Sequence, residues 1–320
     1  MTIGATHPKY LWWNGEMLPW EQGTVHVTQM HWTAVSAIFE GIMAYWNDDE
    51  EELFVFQLDG HLQRFIRSQK MMRMRASYTV QQLTDAITGL LRANESRTDT
   101  YVFPYAYPQG GGRFRSFSAA EPGPAEVQIT TRPSASHLLK RELKHACVSS
   151  WTRIPDNVMP PRIKNIANYR NGSLASSEAA INGYDAAILL NTAGKVAEGP
   201  GACIMMVRDG KLVTPTGTDS ILESITRGAI MTLARDLGME VVERSIDRTE
   251  LYIADEVFLC GTAAEITPLV SVDRYVVGNG DLGPVTTQLE QRLHDIMRGK
   301  DRRYASWVTP VGAPKAVPAD

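Results

Sequence analysis

The chain has few cysteines, no long apolar run and no excess of positive charge, and each shortage removes a class of protein. Only Cys147, Cys203 and Cys260 occur in 320 residues. None has C-x-x-C spacing or a histidine cluster at zinc-ligand spacing, so neither a disulfide framework nor a metal site is expected. Isolated cysteines suit a reducing compartment, and the expected location is cytoplasmic. No uncharged apolar stretch reaches membrane-spanning length. The segment from Met1 to Gly15 holds one lysine and no apolar h-region, unlike a signal peptide. A net charge of -4 with a pI near 6.0 supplies no basic face for nucleic acid and no reason to expect a membrane surface. Internal repeats are also missing.

What remains is an ordinary globular composition, long enough for two domains. Phe39 to Trp46 reads as a strand with Leu53 to Phe56 as its partner, and Asp48 to Glu52 as the solvated tip between them. From Asp59 the period changes, and Leu62, Phe65 and Ile66 mark a helix; a second is expected over Thr79 to Ala93. Thr100 to Tyr107 is strand-like and runs into a loop, Gln109-Gly110-Gly111-Gly112-Arg113. Prolines at 122, 124 and 133 place a boundary between residues 120 and 140. Beyond it, Ala186 to Leu190, Cys203 to Val207 and Glu256 to Cys260 read as strands, with Asp209-Gly210 as a hairpin turn. Ser224 to Leu237 fits a helix stopped by Gly238, and Pro284 to Arg298 a closing one. This irregular mixture points to an α+β fold.

Gly278-Asn279-Gly280-Asp281-Leu282-Gly283 matches the dinucleotide fingerprint G-x-G-x-x-G. A nicotinamide site also needs a second parallel strand carrying an acid about 20 residues on. Too little chain follows to build it. The expectation is a glycine turn with Pro284 at the first helical position.

An ordered series of segments resembles the class IV (fold type IV) aminotransferases, and among them the branched-chain amino acid aminotransferases. The segments are Trp13-Asn14-Gly15-Glu16-Met17, Val25-His26-Val27, Phe39-Glu40-Gly41, His61-Leu62-Gln63-Arg64 and Lys164 with Asn168-Tyr169. Val196-Ala197-Glu198-Gly199, Ile225-Thr226-Arg227 and Ala254 to Phe258 follow, then Gly261 to Pro268 and Gly283-Pro284-Val285-Thr286. The resemblance implies a two-domain PLP enzyme, with residues 1–130 as a small α/β domain, 131–140 as interdomain loop and 141–320 as the larger PLP-binding domain. It implies that pyridoxal 5'-phosphate is carried as a Schiff base on Lys164 and alternates with pyridoxamine 5'-phosphate. On its own residues Lys164 reads as one more solvated lysine. Tyr169 is implied to bond the cofactor's ring oxygen, Glu198 to face the pyridine nitrogen, and Leu222 to pack on the ring. Arg64, Ser224, Ile225, Thr226 and Thr262 are implied to seat the phosphate. The helix start at Ser224 offers unpaired N–H groups that attract anions.

The substrate side departs from the pattern. The branched-chain enzymes carry a tyrosine where this chain has Ala34, and an arginine where it has Phe103 in Tyr101-Val102-Phe103-Pro104. Phe39, Tyr101, Thr262 and Ala263 are retained as expected substrate contacts. Losing a bidentate-capable cation leaves two readings. Either the pocket is wider and accepts (R)-primary amines, or Arg113 or Arg115 replaces the charge. The expected reaction transfers an amino group to 2-oxoglutarate or pyruvate by ping-pong kinetics, in a homodimer or larger homo-oligomer. A D-amino acid transaminase or an aminodeoxychorismate lyase is the alternative on the same fold.

Overall fold

A computed structural model of the protein describes residues 7–27, 35–108 and 123–312. Ala34, Arg113, Arg115 and the glycine-rich loop before them lie outside the described residues. The chain divides into two compact units, one running to Ser136 and resuming at Asp295, the other His137–His294.

The first unit holds strands β1 (Tyr10–Trp13), β2 (Glu16–Pro19), β3 (Ile38–Phe39), β4 (Ile42–Asn47), β5 (Glu52–Phe56), β6 (Met74–Arg75), β7 (Thr100–Pro108) and β8 (Gly123–Pro133). Helices α1 (Leu58–Met71) and α2 (Val80–Ala93) pack on each other beside the sheet. The second helix begins at a complete capping box, in which Thr79 accepts from the Gln82 N–H and the Gln82 side chain accepts from the Thr79 N–H. Strands β7 and β8 form the longest antiparallel pair, from Thr100 opposite Pro133 to Pro108 opposite Ala125. Alternation on β7 buries Val102 and Ala106 on one face and leaves Tyr101, Phe103 and Tyr105 half-buried on the other.

Three expectations change here. The strand expected over Phe39–Trp46 is two strands, β3 and β4, which both pair antiparallel with β7. At the break, Glu40 donates its N–H to the Pro104 carbonyl at 2.9 Å, and proline has no N–H to return. The interdomain loop also starts later than residue 131, because β8 stays paired to Pro133. The C-terminal segment leaves the larger domain in which it was expected. Its strand, Val308–Pro310, runs antiparallel to β5, with Val308 opposite Phe56.

The second unit contains β9 (Lys144–Thr152), β10 (Ala186–Leu190), β11 (Val196–Glu198), β12 (Cys203–Arg208), β13 (Lys211–Thr214), β14 (Val241–Glu243), β15 (Glu256–Gly261), β16 (Glu265–Val272) and β17 (Tyr275–Val276). The sheet order is β11-β10-β9-β16-β15-β12-β13-β14, with β17 on β16. The β12–β13 turn places Asp209 and Gly210 at φ +53 and +73, the left-handed pair that a tight hairpin requires. Helix α3 (Ile166–Ile181) lies on β9 and β10 through Ala175 and Ala179, which join Cys147, Ala187 and Leu189 in one cluster. Helix α4 (Ile225–Asp236) has Ser224 as N-cap and Gly238, at φ +82, just past its end.

The fingerprint at 278–283 has a different occupant from a nucleotide. Helix α5 (Pro284–Met297) starts at the proline, and its first turn is capped by the Glu256 carboxylate. That carboxylate accepts from the Val285 N–H at 2.9 Å and the Thr286 N–H at 2.7 Å. The anion seat at this helix start is therefore filled from within the chain. Gly283 is required because a Cβ there would come within 2.0 Å of the Glu256 side chain.

Candidate active site

Lys164 stands one residue before the N-cap of α3, and the local sequence fastens its backbone. The Asn165 side chain accepts from the Ala167 N–H at 2.7 Å, closing the helix start. Asn168, in the first turn, donates to the carbonyls of Pro160 and Ile163 at 3.1 Å each. These bonds tie the incoming loop to the helix and direct the Lys164 side chain to Tyr169. Lys164 Nζ donates to the Tyr169 hydroxyl at 2.6 Å. Lys164 is half-buried.

Glu198 ends β11 and is 5% exposed. Its Oε1 accepts from Arg153 Nε at 2.8 Å, and its Oε2 from the Leu222 N–H at 3.0 Å. Burial pushes the carboxyl above its ordinary value, against the pull of Arg153, the Leu222 N–H and the Lys164 ammonium. The following turn, Gly199-Pro200-Gly201, abuts α3 at Gly172. A Cβ on Gly172 would fall 2.5 Å from the Pro200 carbonyl oxygen, so only glycine allows the turn to close on the helix.

The start of α4 offers backbone donors. Ser224 Oγ accepts from the Arg227 N–H at 3.2 Å, while the N–H groups of Ile225 and Thr226 are too early to reach any carbonyl of their own helix. Arg227 looks elsewhere, binding Thr214, Pro215 and Glu243. Thr262 and Ala263 occupy the tip between β15 and β16, Thr262 half-buried and Ala263 exposed.

In the first unit, Arg64 is gripped by Glu40, Nε donating to Oε1 at 2.7 Å and Nη2 to Oε2 at 2.8 Å. His61 Nδ1 lies 2.8 Å from the same Oε2. Burial alone would raise the Glu40 carboxyl, but the Arg64 charge and the bonds from Arg64 and His61 outweigh it and bring it to about 2. Phe103 sits in a row of rings on β7, 6.4 Å from Tyr101 and 6.0 Å from Tyr105, with Phe39 of β3 at 5.3 Å. A cation does reach this face from the neighbouring strand, the Arg132 guanidinium lying 4.7 Å from the centre of the Tyr101 ring.

Sequence reasoning missed Arg153, Asn165 and the orienting role of Glu40. Arg153 carries no local signal, since an arginine before Ile-Pro reads as exposed. Asn165 could have been found as a cap before a helix, had α3 been legible.

In the second unit, Lys164, Tyr169, Glu198 with Leu222, and the α4 start together suit a phosphorylated pyridine aldehyde. They offer an amine for the carbonyl, a hydroxyl beside it, a buried acid for a basic ring nitrogen and N–H groups for a phosphate. Comparison with known proteins points to the same cofactor. Residues 37–272 match the amino-transferase class IV family. The chain is 40% identical to a probable branched-chain-amino-acid aminotransferase of Aquifex aeolicus over 303 residues, 94% of this chain and 96% of the relative. The holo, PLP-form crystal structure of the branched-chain amino acid aminotransferase from Thermobaculum terrenum superposes with a TM-score of 0.92 at 51% identity, covering 96% of this chain and 99% of that one. The branched-chain aminotransferase of the archaeon Thermoproteus uzoniensis, crystallised with norvaline, gives 0.88 at 39% identity, covering 95% of this chain and 100% of that one.

Proposed function

The chain belongs to the class IV aminotransferases, and from that membership we propose a residue-level account of how it handles cofactor and substrate. It is a PLP-dependent aminotransferase of fold type IV and of the branched-chain amino acid type. When bound, pyridoxal phosphate supplies an electron sink for the substrate's α-carbon. Lys164 would carry the cofactor, and its amine, once the incoming substrate amine has displaced it, would take the α-proton and return it. The observation that carries this reading is the 2.6 Å bond from Lys164 Nζ to the Tyr169 hydroxyl, which holds the amine in one direction. Glu198 keeps a proton at the ring nitrogen, and Leu222 lends both its N–H to Glu198 and its side chain to the ring. Ile225, Thr226, Ser224 and Thr262 hold the phosphate, with Arg64 as the cationic contact that Glu40 orients. Thr262 and Ala263 receive the substrate carboxylate.

The substrate side chain meets Phe39, Tyr101 and Phe103. An aromatic rung in place of a cation favours apolar donors, with 2-oxoglutarate or pyruvate as acceptor. The same rung favours a second reading, in which (R)-primary amines are also turned over. A homodimer or larger homo-oligomer in the cytoplasm completes the proposal.

Lys164→Ala tests the core of it. Turnover is expected to fall by at least about 10³-fold, the scale of a lost proton carrier, together with the cofactor's visible absorbance band. A variant retaining both would overturn the assignment. A panel of L-leucine, L-glutamate, D-alanine and (R)-1-phenylethylamine, with and without a 2-oxo acid, tests the substrate reading. Turnover of only L-glutamate and branched-chain donors removes the amine activity. Product formed without acceptor would point to a lyase.

A further inference from the structure

The tip between β15 and β16 is held by a residue that begins the second unit. Glu265, the first residue after the tip, has φ +43, a left-handed backbone that a glutamate seldom adopts. It is 2% exposed. Its Oε2 accepts from the His137 N–H at 2.8 Å and the Leu138 N–H at 3.1 Å, and His137 Nδ1 lies 3.1 Å from the same oxygen. The other ring nitrogen of His137 donates to the Ala264 carbonyl at 2.9 Å, which also accepts from Thr267 Oγ1 at 2.8 Å. A carbonyl can only accept, so Nε2 carries a proton. Both lone pairs of that oxygen are thus spoken for. The peptide joining Ala264 to Glu265 is fixed at its oxygen by two side chains, and at its next residue by a buried carboxylate.

We propose that His137 and Glu265 form a clamp that positions the Thr262–Ala263–Ala264 tip for a carboxylate, making His137 a determinant of affinity for carboxylate substrates. Neither residue touches substrate, so both are positioning residues. The inference rests on the reading that Thr262 and Ala263 receive the substrate carboxylate. A strained residue at the base of a three-residue tip relaxes unless its surroundings over-determine it. His137 supplies two of the contacts that do so, its N–H to Glu265 and its Nε2–H to the Ala264 carbonyl. When the clamp is cut, the tip keeps its sequence but samples other directions, and the loss falls on whatever ligand its N–H and hydroxyl groups hold.

The test uses the cofactor-loaded protein. KM for a 2-oxo acid, and the affinity for 4-methylpentanoate read from the cofactor's visible band, are measured for wild type, His137→Phe, His137→Gln and Thr262→Ala. His137→Phe removes the ring donor to the Ala264 carbonyl at a position whose side chain is 23% exposed. The proposal expects KM and the acid's Kd to rise about tenfold, the scale of one or two lost hydrogen bonds, with kcat within about twofold and cofactor content unchanged. His137→Gln keeps a donor for the Ala264 carbonyl and is expected to recover most of the affinity. A merely structural role would instead lower kcat, cofactor content and melting temperature together, and would overturn the proposal. If Thr262→Ala weakens the acid and His137→Phe does not, the clamp is wrong and the carboxylate reading stands. If neither variant changes the acid's affinity, both fail together.

Discussion

Two buried glutamates, each facing an arginine, end on opposite sides of the ordinary carboxyl range. Glu40 receives two bonds from one guanidinium and a third contact from His61, and is held at about 2. Glu198 receives one bond from Arg153 and one from a backbone N–H, and burial keeps it raised. Both are desolvated to a similar degree. The difference lies in the number and geometry of the cationic donors, because a bidentate guanidinium returns more of the desolvation cost than a single contact. In the first unit the carboxylate is complete and acts as a fixed support for Arg64. In the second it is under-compensated, which suits an acid proposed to meet a protonated ring nitrogen.

Neutralising Glu40 should give the larger stability effect. Glu40→Gln leaves Arg64 and His61 buried against an amide and is expected to cost about 3–5 kcal/mol in urea unfolding. Its pKa is lowered on folding, so the wild-type contribution is present above the unfolded value near 4.5 and lost as pH falls through about 2. The variant's stability should therefore fall less steeply over that window. Glu198→Gln should do the reverse. Folding already favours the neutral form there, so the stability loss is expected to be smaller than for Glu40→Gln, while kcat falls roughly 10²-fold, typical of a lost electrostatic partner. Glu198→Gln proving the less stable of the two would break the comparison.

The smallest effect belongs to a third buried acid. Glu290 is pushed up to about 7 by burial and then by the nearby negative charge of Glu265, the acid that His137 holds. An acid raised on folding destabilises the native state as it ionises, so its cost is absent below about 4.5 and full above about 7. Glu290→Gln is expected to raise stability by roughly 2 kcal/mol at pH 8 and to leave it unchanged at pH 4. Equal gains at both pH values would assign the effect to packing rather than charge.

Legibility followed the physics of each element. Helix α4 could be read because Ile225, Ala229, Ile230, Leu233 and Leu237 repeat at helical spacing and Gly238 ends it. Helix α3 escaped, since its buried side is the polar Asn168 followed by Gly172, Ala175 and Ala179, small residues suited to close approach and invisible to an apolar pattern. Most of the site residues named in advance came from resemblance and not from their own surroundings. The exception is the α4 start, where Ser224 signals a cap by residue type alone.

The sequence by itself determined the α+β mixture and the helix start that offers N–H groups to an anion. Those are consequences of composition and short-range periodicity, which need no partner from elsewhere in the chain. Only tertiary structure decided that Arg153 meets Glu198, that Glu40 grips Arg64, that Glu256 fills the helix start behind a nucleotide-like glycine motif, and that His137 reaches the tip at Ala264. Each joins residues separated by tens of positions or more, and what each charge does there depends on burial and donor count, which residue type does not encode.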